Sequence, residues 1–120
     1  MNIQIFGRKK CFDTKKVERY FKERRIKYSL IDLDEKGISK GELNNIKICI
    51  KINDLINTNA KDYKKSNLDK IRAAEMKEEI LLKNPKLIKS PIVRNGKDAV
   101  LGYNVDKFKE WESSYEQKKI

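Results

Sequence analysis

The order of hydrophobic periods constrains the fold more than any other feature of the sequence. Ile3 and Ile5, flanked by Gln4 and Phe6, make a short β-prone run that ends at Gly7. Val17, Tyr20, Phe21 and the apolar stem of Arg24 then recur at helical spacing, with Lys15, Lys16, Arg19, Lys22 and Glu23 off that face. Tyr28 and Leu30, followed by Ile31 and Leu33, read as a second strand. Two strands joined by one helix of this length pair in parallel through a right-handed crossover. The chain therefore opens as an α/β domain.

Its end has a different character. Pro91-Ile92-Val93-Arg94, Asn95-Gly96 and Lys97-Asp98-Ala99-Val100-Leu101 read as a β-hairpin, because Asn-Gly tolerates the positive φ angles of a type I′ turn. Asn104 caps a last helix with Asp106 in its first turn and Val105, Phe108 and Trp111 facing inward. Between these ends the pattern is helical. Ser39 and Glu42 form a capping box ahead of Leu43, Ile46 and Ile50. Ser66 with Asp69 offers a second start, followed by Leu68, Ile71, Ala74 and Ile80-Leu81-Leu82 and stopped by Asn84-Pro85. Residues 67–83 fit one helix or two. The expected order is β-α-β, helical insertion at about 38–85, then β-β-α: a thioredoxin-like α/β domain with a mixed sheet flanked by helices. One domain is expected over residues 1–113, with a tail at 114–120 that frays from Glu116 onward.

Composition narrows the class. Charged residues make up 39% of the 120, and the net charge is +11. Yet Ile, Leu, Val and Phe together number 32, about 27%, above the ~20% level below which disorder is the default. No apolar run approaches the ~20 residues needed to span a bilayer, and no secretory leader is visible, so no membrane partner is expected. Two cysteines make no disulfide framework, which fits a reducing, cytoplasmic setting. The absence of histidine removes serine–histidine chemistry, and with two cysteines it leaves almost no zinc ligands, so neither a metal nor a bound cofactor is expected. Lysines interleave with Glu and Asp as on solvated helix faces, which argues against direct nucleic-acid binding.

Cys11 carries the functional reading. It falls where strand one hands over to helix one, facing unpaired backbone N–H groups and the positive end of the helix dipole. Both favour thiolate over thiol. Arg8, Lys9, Lys10, Lys15 and Lys16 lie nearby against one acid, Asp13, and residues 1–30 hold ten Lys/Arg to three Asp/Glu. Thr14 stands where a dithiol motif would place its second cysteine; its hydroxyl can donate to a thiolate but cannot resolve a disulfide. Cys49, between Ile48 and Ile50, is expected to be buried and inert. In a thioredoxin-like domain the proline before the third strand is commonly cis and packs beside the reactive sulfur, so Ser90-Pro91 is expected to border a groove for a thiol such as glutathione.

These segments are also familiar. Ile-Phe-Gly-Arg-Lys-Lys-Cys11-Phe-Asp-Thr14-Lys-Lys at the start, Ser90-Pro-Ile-Val93 late, and Leu-Gly-Tyr-Asn104 before the last helix resemble the arsenate reductase (ArsC)/Spx family over about residues 1–112. The resemblance implies a glutaredoxin-like thiol enzyme. One cysteine attacks an oxyanion, and glutathione with glutaredoxin completes the reduction. Its Spx branch instead binds the RNA polymerase α-subunit and regulates transcription. The sequence departs from both branches. The family's oxyanion-gripping arginines correspond to Asn59, Ser90 and the Gly102-Tyr103 stretch, and Thr14 breaks the Spx Cys-x-x-Cys switch. The glycine with which Spx proteins contact polymerase is replaced near Lys51. Arg72, Arg94 or the lysines are the available substitutes for an anion grip, although lysine lacks arginine's bidentate fork. The expected site is thus Cys11 as nucleophile, Lys9, Lys10, Thr14 and Lys15 supporting it, Ser90 and Pro91 at the groove, and Arg72 and Arg94 as oxyanion candidates. A small thiol or a glutaredoxin-type protein is the expected reductant.

Overall fold

The computed structural model describes residues 1–119, with side chains through Tyr115. β1 (Ile3–Gly7) leads into α1 (Phe12–Glu23) and the chain returns as β2 (Tyr28–Asp32), parallel to β1. β3 (Ile92–Asn95) runs antiparallel to β1, and β4 (Asp98–Leu101) antiparallel to β3. The sheet order is β2-β1-β3-β4. This is the thioredoxin-like mixed sheet that the order of periods predicts.

Strand alternation assigns the two faces. Ile3, Ile5 and Val93 pack against Val17, Tyr20 and Phe21 of α1 and against Phe108 and Trp111 of the last helix, α7 (Val105–Lys119). Phe6, Ile92 and Ala99 point the other way, into a core shared with Leu43, Ile46, Leu55 and Leu81 of the insertion. β1 is therefore covered on both sides, which is why its apolar residues run on without strict alternation. Asn104 caps α7 as expected, its Oδ1 accepting the Lys107 N–H at 3.1 Å. Residues 114–119 continue α7, and the expected fraying from Glu116 to Ile120 falls outside the residues described in full.

The insertion comprises α2 (Leu33–Lys36), α3 (Lys40–Cys49), α4 (Ile52–Leu55), α5 (Tyr63–Ser66), a 3-10 turn (Leu68–Lys70), α6 (Ala74–Lys83) and a second 3-10 turn (Pro85–Leu87). The capping box of α3 is present in both directions: Ser39 Oγ accepts from the Glu42 amide at 3.1 Å, and Glu42 Oε1 from the Ser39 amide at 2.9 Å. A Lys47–Glu78 ion pair then ties α3 to α6.

Four local expectations are corrected or made specific. Leu33 is not in the second strand; Asp32 caps α2 by accepting the Asp34 amide, so the strand ends there. Ser66 starts only a 3-10 turn: its Oγ accepts the Leu68 amide at 3.3 Å while its hydroxyl donates back to the Tyr63 carbonyl, and Asn67 turns to φ +59°, which ends α5. Residues 67–83 are a 3-10 turn followed by a separate helix, and Ala74 is exposed where Leu68 and Leu81 are buried. The hairpin turn is Gly96-Lys97, one residue later than expected, with Asn95 paired to Asp98. Gly96 is at φ +60° and Lys97 is not at positive φ, the type II′ pattern rather than I′. Among the described residues no helix is long and apolar enough to cross a membrane.

Asp98 joins the sheet edge to α7. Its Oδ2 accepts from Trp111 Nε1 at 2.8 Å and pairs with Lys107 Nζ at 3.1 Å. Burial pushes this carboxyl up, but the bonds from Trp111 and Lys107 and the Lys107 charge outweigh it and hold the group below the ordinary aspartate range. A depressed folded value contributes stability above the unfolded pKa of ~3.9, and that contribution is lost as pH falls through the folded value. Asp98→Asn should therefore lower the melting temperature at pH 7, with the difference from wild type closing as pH falls below about 4. Thermal unfolding at several pH values checks this; a difference that does not narrow in acid would refute the assignment.

Candidate thiol site

The turn after β1 is built around a close backbone approach. A Cβ on Gly7 would lie 2.4 Å from Thr14 Cγ2 and 2.7 Å from Thr14 Oγ1, so only glycine lets the first turn of α1 fold back onto the strand end. Thr14 is 2% exposed there, and its Oγ1 accepts the Arg8 amide at 3.3 Å. The Cys11 N–H donates to the Arg8 carbonyl at 3.1 Å, and the Cys11 carbonyl accepts the first helical bond from Lys15 at 3.3 Å. Cys11 is therefore the N-cap residue of α1 (φ −89°, ψ 117°), with no side-chain capping bond. Its sulfur is partly exposed.

The second half of the site arrives from the far end of the insertion. The Ser90–Pro91 peptide is cis, Pro91 is buried, and Cys11 Sγ lies 3.7 Å from the Ser90 carbonyl oxygen. The Pro91 carbonyl accepts the Gly102 amide at 2.8 Å, which fixes this loop to the end of β4. Cys11, Thr14, Ser90 and Pro91 thus meet at one end of the sheet. Partial burial pushes the Cys11 thiol up, but the polar groups nearest it, the Ser90 and Thr14 side chains and the Thr14 and Asp13 backbone, outweigh it. The thiol is held below its ordinary range.

The basic residues contribute differently than their number suggests. Cys11 borders an open hollow of about 510 Å³ that Arg8, Lys9 and Lys10 line together with Asp32, Asp34 and Glu35. Lys9 pairs with Glu35 at 3.3 Å and Arg8 with Asp34 at 3.0 Å, so the acids opening α2 offset the basic loop. Lys10 lines the hollow without a described ion pair, and Lys15 faces an adjacent one beside Thr14 and Leu30. Arg72 is exposed between the first 3-10 turn and α6, and Arg94 lies on β3, donating to Gln4 at 3.1 Å; neither borders the hollow at the sulfur.

Cys49 corrects another expectation. It is exposed, with Sγ 3.3 Å from the Lys97 carbonyl at the hairpin tip. Its contact lies at the hairpin end of β3, whereas the Cys11 contact with Ser90 precedes the start of that strand, and both cysteines are free thiols.

The group that sequence reasoning missed is the Arg8 side chain. Its guanidinium donates to the Ile88 carbonyl at 2.7 Å and to the Pro85 carbonyl, 80 and 77 residues away in sequence. Nothing local in the sequence signals such a partner.

A sulfur at the first helix N-cap, beside the Ser90–Pro91 loop at one end of a mixed sheet, defines a thioredoxin-like protein with one site cysteine and a helical insertion. Residues 6–111 match the profile of the ArsC family, and the chain belongs to that family. It is 28% identical over 115 residues to the global transcriptional regulator Spx 2 of Oceanobacillus iheyensis, covering 92% of this chain and 84% of that protein. Among solved structures it is similar to an arsenate reductase from Vibrio cholerae (TM-score 0.80, 21% identity, 92% and 97% of the two chains). It is similar also to a Staphylococcus aureus protein (TM-score 0.73, 26% identity, 90% and 96%).

The Gly7–Thr14 contact yields a direct test. Gly7→Ala should destabilise the fold by roughly 1–3 kcal/mol through overpacking. Thr14→Ala removes the atoms in the way, so the double variant should cost less than the sum of the two single ones. Urea denaturation of the four proteins measures the coupling, and strict additivity would contradict the contact.

Proposed function

We propose that this ArsC-family protein is a thiol oxidoreductase that reacts through Cys11 and is recycled by an external thiol of the glutathione class or by a glutaredoxin-type protein. One observation carries the reading: the Cys11 sulfur sits at the start of α1 against the Ser90–Pro91 loop, and the Ser90 and Thr14 side chains with the backbone of the first turn favour its ionised form. The exchange balances without any other cofactor. The Cys11 thiolate attacks one sulfur of a disulfide, forming a mixed disulfide and expelling the other sulfur as thiolate. A second thiolate then attacks the partner sulfur and returns Cys11 to its reduced form, so the electron pair comes from the external thiol. Because Thr14 occupies the place of a resolving cysteine, that second thiolate must come from outside.

Lys10, and to a lesser degree the paired Lys9 and Lys15, would attract the carboxylates of a glutathione-like thiol. An oxyanion such as arsenate is the narrower substrate, supported by the likeness to the Vibrio cholerae arsenate reductase. A second reading, a non-enzymatic regulator that binds the RNA polymerase α-subunit, is supported by the identity to a global transcriptional regulator. Retention by the polymerase α C-terminal domain at low salt, unchanged in Cys11→Ser, would favour it over the first.

The leading reading is checked by alkylating Cys11 with iodoacetamide across pH in a Cys49→Ser background, which removes the second exposed thiol. The half-maximal rate is expected below the ~8.5 of free cysteine. Cys11→Ser should abolish thiol–disulfide exchange with a glutathione mixed disulfide. A midpoint at or above the free value would sink the proposal.

A further inference from the structure

The Arg8 side chain is 15% exposed and is held from two segments that are distant in sequence. Nη1 donates to the Ile88 carbonyl at 2.7 Å, Nη2 to the Pro85 carbonyl, and Nε to Asp34 Oδ1 at 3.0 Å. Pro85 opens the 3-10 turn that ends the insertion, and Ile88 lies two residues before Ser90. The backbone of the same residue faces the thiol: its carbonyl accepts the Cys11 N–H, and its N–H bonds to Thr14 Oγ1. One residue therefore bridges the two halves of the site.

We propose that Arg8 is a positioning residue for the reactive sulfur: its guanidinium braces the end of the insertion against the Cys11 loop and so fixes where Ser90 stands. The inference rests on reading Cys11 as the reactive thiol. Arginine suits the task because its planar fork presents parallel donors to two carbonyls at once, which a lysine ammonium on a flexible stem does not. With three of its five N–H donors engaged in these bonds, Arg8 is committed to the protein rather than to an oxyanion. The other charged groups lining the hollow at the sulfur are Lys10 in the same loop, Asp32 at the end of β2, and Asp34 and Glu35 from α2, with Lys9 paired to Glu35.

Loss of the brace and loss of a positive charge would both raise the thiol's ionisation midpoint, so the deciding variant is Arg8→Lys, which keeps the charge and removes the fork. In a Cys49→Ser background, iodoacetamide labelling against pH should show the Cys11 midpoint in Arg8→Lys raised by about half a unit or more toward ~8.5. In a further Ser90→Ala background the same change should add little, because Arg8 acts by holding the Ser90 side chain beside the sulfur. Circular dichroism verifies the fold. If Arg8→Lys does not fold, Asp34→Ala frees Nε alone; an upward shift is still expected, opposite to the effect of merely deleting a nearby negative charge. A low wild-type midpoint kept unchanged in Arg8→Lys, or in Asp34→Ala where that variant stands in, overturns the positioning role, as does full additivity with Ser90→Ala. A wild-type midpoint already at the free-cysteine value would instead remove the reading of Cys11 itself.

Discussion

The structure depends on how tightly the chain turns out of its first strand. Gly7 has no side chain, Thr14 fills the space where a Cβ would be, and the Thr14 hydroxyl meets the Arg8 amide. That contact sets α1 at the end of β1 and leaves Cys11 as the N-cap residue with its side chain uncommitted to capping. A Ser, Asp or Asn at that position would fold its oxygen back onto the helix amides. Cysteine is a poor capping group, so its sulfur remains available while the amides of Asp13 and Thr14 still favour its ionised form.

The insertion has a mechanical place in this arrangement. It builds the second core, against the face of the sheet that α1 and α7 do not cover. Its closing 3-10 turn delivers the chain to Ser90 and Pro91 within reach of the thiol loop. Leu55 and Ile56 help to hold that exit: the Lys89 amide donates to the Leu55 carbonyl at 2.7 Å, and Ile56 bridges to Ile88. The loop before β3 is thereby anchored from α4, from Arg8 and, through Gly102, from β4. A sulfur contact spanning 79 residues of sequence needs this triangulation, because each tether alone leaves a loop free to rotate.

Much of this was legible in the sequence where the signal is local. The β-α-β opening, the Ser39–Glu42 box, the Asn104 cap, and the meeting of Cys11 with Ser90-Pro91 follow from spacing combined with the resemblance to the family. The errors came from treating sequence neighbours as spatial neighbours. Ile48 and Ile50 flank Cys49 in the chain, but on a helix whose buried stripe is Leu43, Ile46 and Ile50, position 48 projects to the opposite side and is 82% exposed. Cys49, next to it, is exposed as well. Ser66 carries a capping residue type and its Oγ accepts the Leu68 amide, yet the left-handed Asn67 between them confines that start to a 3-10 turn. Arg8 read as one more charge in a basic loop. Its partners are backbone carbonyls, which have no sequence signature at all.

The basic loop shows why counting charges near a cysteine is a weak guide to its acidity. Lys9 and Glu35 are both well exposed, so their pair sits in high dielectric and is screened over a Debye length of about 8 Å at physiological salt. Asp34 and Glu35 further offset the field that residues 8–10 would project onto the sulfur. Hydrogen-bond donors act differently, since they approach the sulfur directly and are oriented by the folded backbone before the proton leaves. The acidity of Cys11 therefore depends on the placement of Ser90, Thr14 and two helix amides, and so on the backbone geometry that Gly7 and Arg8 maintain. By this argument the surplus of lysines governs which anionic thiols approach, whereas the turn governs whether the sulfur is ready when they arrive.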